Sequence, residues 1–307
     1  MDFLTVLKII LIGIVEGITE WLPVSSTGHM IILEELLGLQ DQLGESYWSM
    51  FLVVIQFGAI LAVIVTFFKA LWPFGKSKSP EEKKEVWRTW LLIIIACLPA
   101  AVVGVFLDDL LDKYLYNFIT VSITLIVYGV FFIVLELLFK KTGRGFDKDE
   151  VKDMTWKTAL IIGLAQMLAL IPGTSRSGIT ILAAMLIGCS RGLSTKFSFL
   201  VSIPIMLGAS AFKVGKYFID GNTFTGAQIG YLLIGMAVAF IVSIFCIKLL
   251  QGFVKNHTFI GFGVYRIALG VVLIILFVTV LKDSGATTET LIALDTIRSG
   301  IIIPFGK

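Results

Sequence analysis

The sequence predicts an all-α integral membrane protein with six transmembrane helices plus two re-entrant helical hairpins, arranged as two inverted-topology repeats. Three observations predict it. Hydrophobic residues make up 57% of the 307-residue chain, charged residues 15%, and mean hydropathy is +0.95, which excludes an ordinary soluble globule. The apolar runs have helical length and do not alternate in strand-sized segments, which excludes a transmembrane barrel. A proline interrupts an apolar run twice, at Pro23 and at Pro172, and the piece that follows each break is shorter than the about 20 residues a crossing needs.

Taken in order, residues 3 to 22 and 24 to 37 form the first broken pair, and an acidic loop follows with Glu34, Glu35, Asp41 and Glu45. The N-terminal run reads as retained rather than as a cleavable signal, because Glu16 and Glu20 interrupt it and no small-residue cleavage site follows. Residues 48 to 68 are long enough to cross. A basic loop carries Lys69, Lys76, Lys78, Lys83, Lys84 and Arg88, residues 89 to 107 cross back, and Asp108, Asp109 and Asp112 are expected in a short turn. Residues 117 to 139 make the third crossing, before a second basic loop with Lys140, Lys141, Arg144, Lys148, Lys152 and Lys157.

The pattern then restarts. Residues 158 to 171 are apolar, Pro172-Gly173 breaks them, and a second piece runs to about 188; crossings are expected at 196 to 212, 228 to 250 and 258 to 281. Pro23 matches Pro172 at an offset of 149, and Phe51-Leu52-Val53 matches Phe199-Leu200-Val201 at 148. The predicted division is a first repeat over 1–140, a cytoplasmic linker over 141–157, a second repeat over 158–282 and a polar tail over 283–307, with one apolar patch at Ile301-Ile302-Ile303. Three crossings per repeat invert the second relative to the first. Basic residues concentrate in the loops that this topology puts in the cytoplasm, so the positive-inside rule opens the first hairpin to the exterior and the second to the cytoplasm. Cys97, Cys189 and Cys246 are far apart within apolar runs and read as small buried hydrophobes. Gly13 and Gly17, four apart, read as a close-packing face. No nucleotide loop or nucleic-acid patch appears.

The chemistry lies in Glu16-Gly17-Ile18-Thr19-Glu20-Trp21-Leu22-Pro23-Val24-Ser25-Ser26-Thr27-Gly28-His29. Ionisable groups at bilayer depth point to function. Glu16 and Glu20 share a helix face, and two carboxylates that close in a low-dielectric site do not both stay ionised: one is protonated or a cation sits between them. Ser25 or Ser26 is placed to cap a second helix after Pro23, and His29 falls three residues after Ser26 on the same side. After Pro172 come Gly173, Thr174, Ser175, Arg176 and Ser177. Two helix N-termini at one central point suit an anion, Arg176 adds a planar cation matched to phosphate, and Ser175, Ser177 and Thr27 add hydroxyl donors. Phosphoryl transfer fits such a set, with a divalent ion on Glu16 and Glu20, Ser26 as candidate nucleophile and His29 as base or leaving-group acid. A glutamate that activates water for direct attack fits equally. Arg266 either completes the phosphate site or snorkels to the cytoplasmic interface.

These two motifs resemble the undecaprenyl-diphosphate phosphatase family of bacteria, the bacitracin-resistance type, and the likeness spans essentially the whole chain without departure at the motif positions. The resemblance implies hydrolysis of undecaprenyl diphosphate to undecaprenyl phosphate and inorganic phosphate, recycling the lipid carrier of peptidoglycan precursors and conferring bacitracin resistance. It also implies a multi-pass protein of the bacterial plasma membrane, a site toward the outer side and a divalent cation, Mg2+ or Ca2+. By position, Glu16, Glu20, Ser26, His29 and Arg176 form the catalytic set, with Ser25, Thr27, Gly173, Thr174, Ser175, Ser177 and Arg266 as phosphate-binding candidates. The expected partners are a polyprenyl diphosphate lipid and the bilayer, with no nucleic acid, and the sequence leaves open whether the chain forms a homodimer. The contrasting hypothesis is a transporter or flippase of an anionic lipid that uses the same inverted-repeat architecture.

Overall fold

Thirteen α-helices run through the residues that the computed structural model describes, 1–75, 77–115, 117–142 and 145–283. The tail with Ile301-Ile302-Ile303, and Lys76 and Arg144 in the basic loops, lie outside the described residues. Helix α1 (Phe3–Thr19) starts at Asp2, whose carboxylate accepts from Thr5 N at 2.9 Å, and stops ahead of the Pro23 break. Beyond the break come α2 (Ser26–Leu37) and the short α3 (Leu39–Leu43).

Helices α4 (Glu45–Val54) and α5 (Gln56–Thr66) together make the first crossing-length run, and α6 (Phe68–Leu71) ends it. Pro80 opens α7 (Pro80–Leu115), with Glu81 and Glu82 in its first turn, where carboxylates complement the positive helix end. The helix continues to Leu115, so Asp108, Asp109 and Asp112 lie in helix and not in the expected turn. Local helical bonding carries on there because no proline or glycine interrupts 105–115. Helix α8 (Phe118–Thr142) ends with Lys140 and Lys141 in its last turn.

A capping box between Thr155 and Thr158 starts α9 (Trp156–Gln166), a 3-10 turn covers Met167–Leu170, and α10 (Arg176–Leu186) follows the Pro172 break. Helices α11 (Arg191–Ile219), α12 (Gly226–Phe253) and α13 (Ile260–Asp283) complete the chain. Six runs are long and apolar enough to cross a membrane, and among the described residues no strand is formed. The element order of a proline-broken short pair followed by three long runs occurs twice.

Small residues set how closely the helices pack. A Cβ on Gly13 would lie 2.9 Å from the Gly235 carbonyl oxygen and one on Gly17 would lie 2.8 Å from Val242 Cβ, so the expected glycine face is the α1–α12 seam. Helices α8 and α13 meet at Gly129 and Gly263, each of which would put a Cβ 2.7 Å from the other's carbonyl. Gln166 donates to Ala96 O at 3.1 Å and fixes α9 to α7. Helix α10 is enclosed: all residues from Ser177 to Met185 are buried. Its 11 residues rise about 16 Å, half of a hydrocarbon core, too short to cross alone. Cys97 and Cys189 are buried and Cys246 is half-buried, all three free thiols.

Candidate functional site

The two breaks share a backbone conformation. Ser25 has φ 72 and ψ 102 and Ser175 has φ 72 and ψ 115; they are the non-glycine residues with positive φ among those described, and each directly precedes a short helix. Residues held there are strained and persist where their surroundings fix them. Ser175 Oγ caps its helix by accepting from Gly178 N at 3.1 Å. Ser25 takes the capping position but not the capping bond: its Oγ is buried with no partner.

Glu20 joins the breaks. Its Oε2 accepts from Ser26 Oγ at 2.8 Å and its Oε1 from Arg176 Nη2 at 2.7 Å, so one carboxylate spans both motifs. Arg176 also donates to Ser198 O at 3.0 Å and lies 5.8 Å from the Trp21 ring centroid. Ser177 Oγ lies 3.2 Å from Glu20 O and 3.3 Å from Leu22 O, which ties α10 to the first turn. Glu16, one helical turn before Glu20, is buried and its Oε1 has no partner.

Arg266 holds the two turns by their backbones. It is fully buried and donates to Pro23 O at 3.3 Å, Gly173 O at 2.8 Å and Thr174 O at 3.0 Å. This excludes the snorkelling alternative: the guanidinium is placed inward because three carbonyls left free by the two breaks need donors. Thr124 Oγ1 adds a contact to Pro172 O at 2.8 Å.

His29 does not pair with Ser26. Its Nδ1 lies 2.7 Å from Ser25 O and its Nε2 lies 2.7 Å from the Tyr265 hydroxyl, while the Ser26 hydroxyl is engaged by Glu20. The shared helix side was legible, but the hydroxyl points back toward α1. Thr27 is half-buried, and Thr174 is fully buried behind the second break. Among the described residues, no three His, Cys, Asp or Glu side chains gather as a metal cluster.

What sets this junction apart is its unfilled polar groups. Glu16 Oε1, Ser25 Oγ, Arg176 Nε and Arg266 Nε are all buried without a partner, drawn from both halves of the chain. Buried polar groups are ordinarily hydrogen-bonded, so this concentration marks a place built for a polar ligand.

Residues 9–272 match the family model described as bacitracin resistance protein BacA. The chain belongs to that family. Similar proteins include an undecaprenyl-diphosphatase of Enterococcus faecalis, 51% identical over 274 residues, covering 89% of this chain and 98% of the relative. One of Acetivibrio thermocellus is 48% identical over 277 residues, covering 90% and 99%, and one of Streptococcus thermophilus is 47% identical over 270 residues, covering 87% and 92%.

In this BacA-family chain the residues that sequence reasoning missed are the ones that hold the motif residues. Tyr265, Thr124 and Ser198 lie in long apolar helices with no motif around them. Only Tyr265 carried a signal, as the neighbour of an intramembrane arginine. The family and the six crossing-length helices agree on a multi-pass membrane protein.

Proposed function

We propose that this chain hydrolyses undecaprenyl diphosphate to undecaprenyl phosphate and inorganic phosphate, as the names of its relatives suggest. The observation that carries the reading is the set of unpartnered buried polar groups around the Glu20–Arg176 pair. The diphosphate head sits at the junction of the two breaks, where Arg176, the hydroxyls of Ser25 and Thr27 and the N-termini of α2 and α10 neutralise it, and the prenyl chain stays in the bilayer. Arg266, Ser177 and the backbones of Gly173 and Thr174 shape the cradle, and Ser175 caps it.

Ser26 attacks the terminal phosphorus and its proton passes to Glu20 Oε2, to which it is already bonded. The bond from that phosphorus to the bridging oxygen breaks, and undecaprenyl phosphate leaves. Water then attacks the phosphoserine, His29 Nε2 takes the water proton, and Ser26 recovers its own from Glu20 as inorganic phosphate departs. Catalysis here is mainly positioning and charge neutralisation.

The unpartnered Glu16 oxygen next to Glu20 fits a divalent cation, Mg2+ or Ca2+, which these two carboxylates would hold. Such an ion would supply further neutralisation of phosphate charge. The repeats are inverted in the membrane and the site opens to the extracytoplasmic side of a bacterial plasma membrane; the charge distribution over the loops supports both. Recycling of the lipid carrier and bacitracin resistance follow from the reaction. Trapping of a phosphoserine with labelled undecaprenyl diphosphate tests the mechanism: label on Ser26 is expected, and turnover with an unlabelled Ser26 under trapping conditions would favour direct attack by water.

A further inference from the structure

Two consecutive residues of α13 meet the breaks in opposite ways. Arg266 is fully buried and holds backbone, whereas Tyr265 is 45% exposed and holds a side chain from the other half of the chain. The rings of His29 and Tyr265 lie nearly parallel, 8° apart with centroids separated by 5.7 Å. The Ser25 carbonyl beside Nδ1 can only accept, so Nδ1 carries the imidazole proton. In the neutral ring Nε2 is then an acceptor, and the Tyr265 hydroxyl donates to it.

We propose that Tyr265 is a positioning residue of the reaction: with the Ser25 carbonyl setting the Nδ1–H tautomer of His29, Tyr265 holds Nε2 turned to the open side as the base for the hydrolytic water. The inference rests on the phosphatase reading above and extends it. The Tyr265 oxygen covers the one lone pair of Nε2 at 2.7 Å, so the half-exposed tyrosine side chain swings aside as the hydrolytic water takes its place on Nε2, while the Ser25 carbonyl keeps hold of Nδ1. As the water oxygen bonds to phosphorus, its proton passes to Nε2, the bond from phosphorus to Ser26 Oγ breaks, and Ser26 regains the proton held by Glu20. His29 later returns its proton to solvent. A tyrosine that served only as an aromatic anchor at the membrane interface would need no partner for its hydroxyl beyond water and headgroups.

The test uses the full chain in detergent. The sequence holds two histidines, so His257→Gln leaves His29 as the single source of imidazole signal. Nitrogen-15 NMR is expected to report a protonated Nδ1 and an unprotonated, hydrogen-bonded Nε2, and Tyr265→Phe is expected to move Nε2 alone to the position of a free acceptor. In phosphate-release kinetics, Tyr265→Phe is expected to lower kcat about tenfold with KM falling alongside it and kcat/KM little changed, and to show a burst of undecaprenyl phosphate ahead of inorganic phosphate. An Nε2–H tautomer in the protein with Tyr265 intact, or wild-type kcat in Tyr265→Phe, overturns the proposal. If the intact protein releases no phosphate, the phosphatase reading fails instead, and the NMR result still decides what Tyr265 does to His29.

Discussion

Arg176 and Glu20 are 156 residues apart in sequence, yet the guanidinium donates to the carboxylate at 2.7 Å with side chains only 11% and 9% exposed. A pair this enclosed is costly to break from one side, because the remaining charge is left without compensation. Arg176→Ala and Glu20→Gln are each expected to lower phosphate release at least about 100-fold, and the double variant to be no worse than the poorer single. Arg176→Lys is expected to rescue little, since an ammonium cannot donate to Glu20 and Ser198 in the planar geometry of the fork. Phosphate release by the purified variants checks each point.

Arg266 predicts a stability effect. Arg266→Met removes a buried charge but strands the carbonyls of Pro23, Gly173 and Thr174, at about 1–3 kcal/mol for each group left unsatisfied. Its thermal midpoint in detergent is expected to fall well below that of Tyr265→Phe, which leaves those carbonyls bonded.

Two glycines with positive φ separate backbone strain from lack of space. Gly44 has φ 89 and open space where a Cβ would go; Gly173 has φ 85, and a Cβ there would run into Thr124 Oγ1 and the backbone of Val121. Gly44→Ala is expected to cost about 1 kcal/mol, and Gly173→Ala enough to lose the fold or the activity. Unfolding midpoints of the two variants, measured side by side, provide the check.

Away from the site, Glu136 on α8 accepts from Arg191 Nε at 2.8 Å and from Phe259 N at 2.9 Å, joining the starts of α11 and α13. The carboxylate side chain is 1% exposed. Glu136→Ala is expected to destabilise by about 1–3 kcal/mol, the cost of leaving the buried Phe259 N–H without an acceptor, since Arg191 keeps contact with solvent. Glu150→Ala, which removes a solvent-exposed pair with Lys152, should fall within about 1 kcal/mol of wild type in the same unfolding assay.

The sequence made the membrane class, the crossings and both proline breaks legible, since hydropathy and proline act locally. Glu16, Glu20 and Arg176 stood out because charge inside an apolar run is costly unless used. Arg266 was visible as a charge, but its direction was not: inward or snorkelling depends on which carbonyls the two turns leave free, a tertiary matter. Ser26 and His29 shared a helix side by spacing, yet the partner of each hydroxyl and ring nitrogen came from distant helices, Glu20 on one hand and Tyr265 on the other. The extent of α7 through its aspartates is not legible from charge, which suggests a turn there, although the helix continues without a breaker.

Whether the Glu20–Arg176 junction hydrolyses a lipid diphosphate with a divalent cation is decided by inorganic phosphate released from undecaprenyl diphosphate in detergent, with and without EDTA. The comparison sets wild type against Glu20→Ala and Arg176→Ala. Wild type is expected to release phosphate, to lose release with EDTA and to recover it on added Mg2+ or Ca2+, with both variants down at least about 100-fold. Binding of the lipid with no phosphate released by wild type would contradict the phosphatase reading and leave the junction as a transport site.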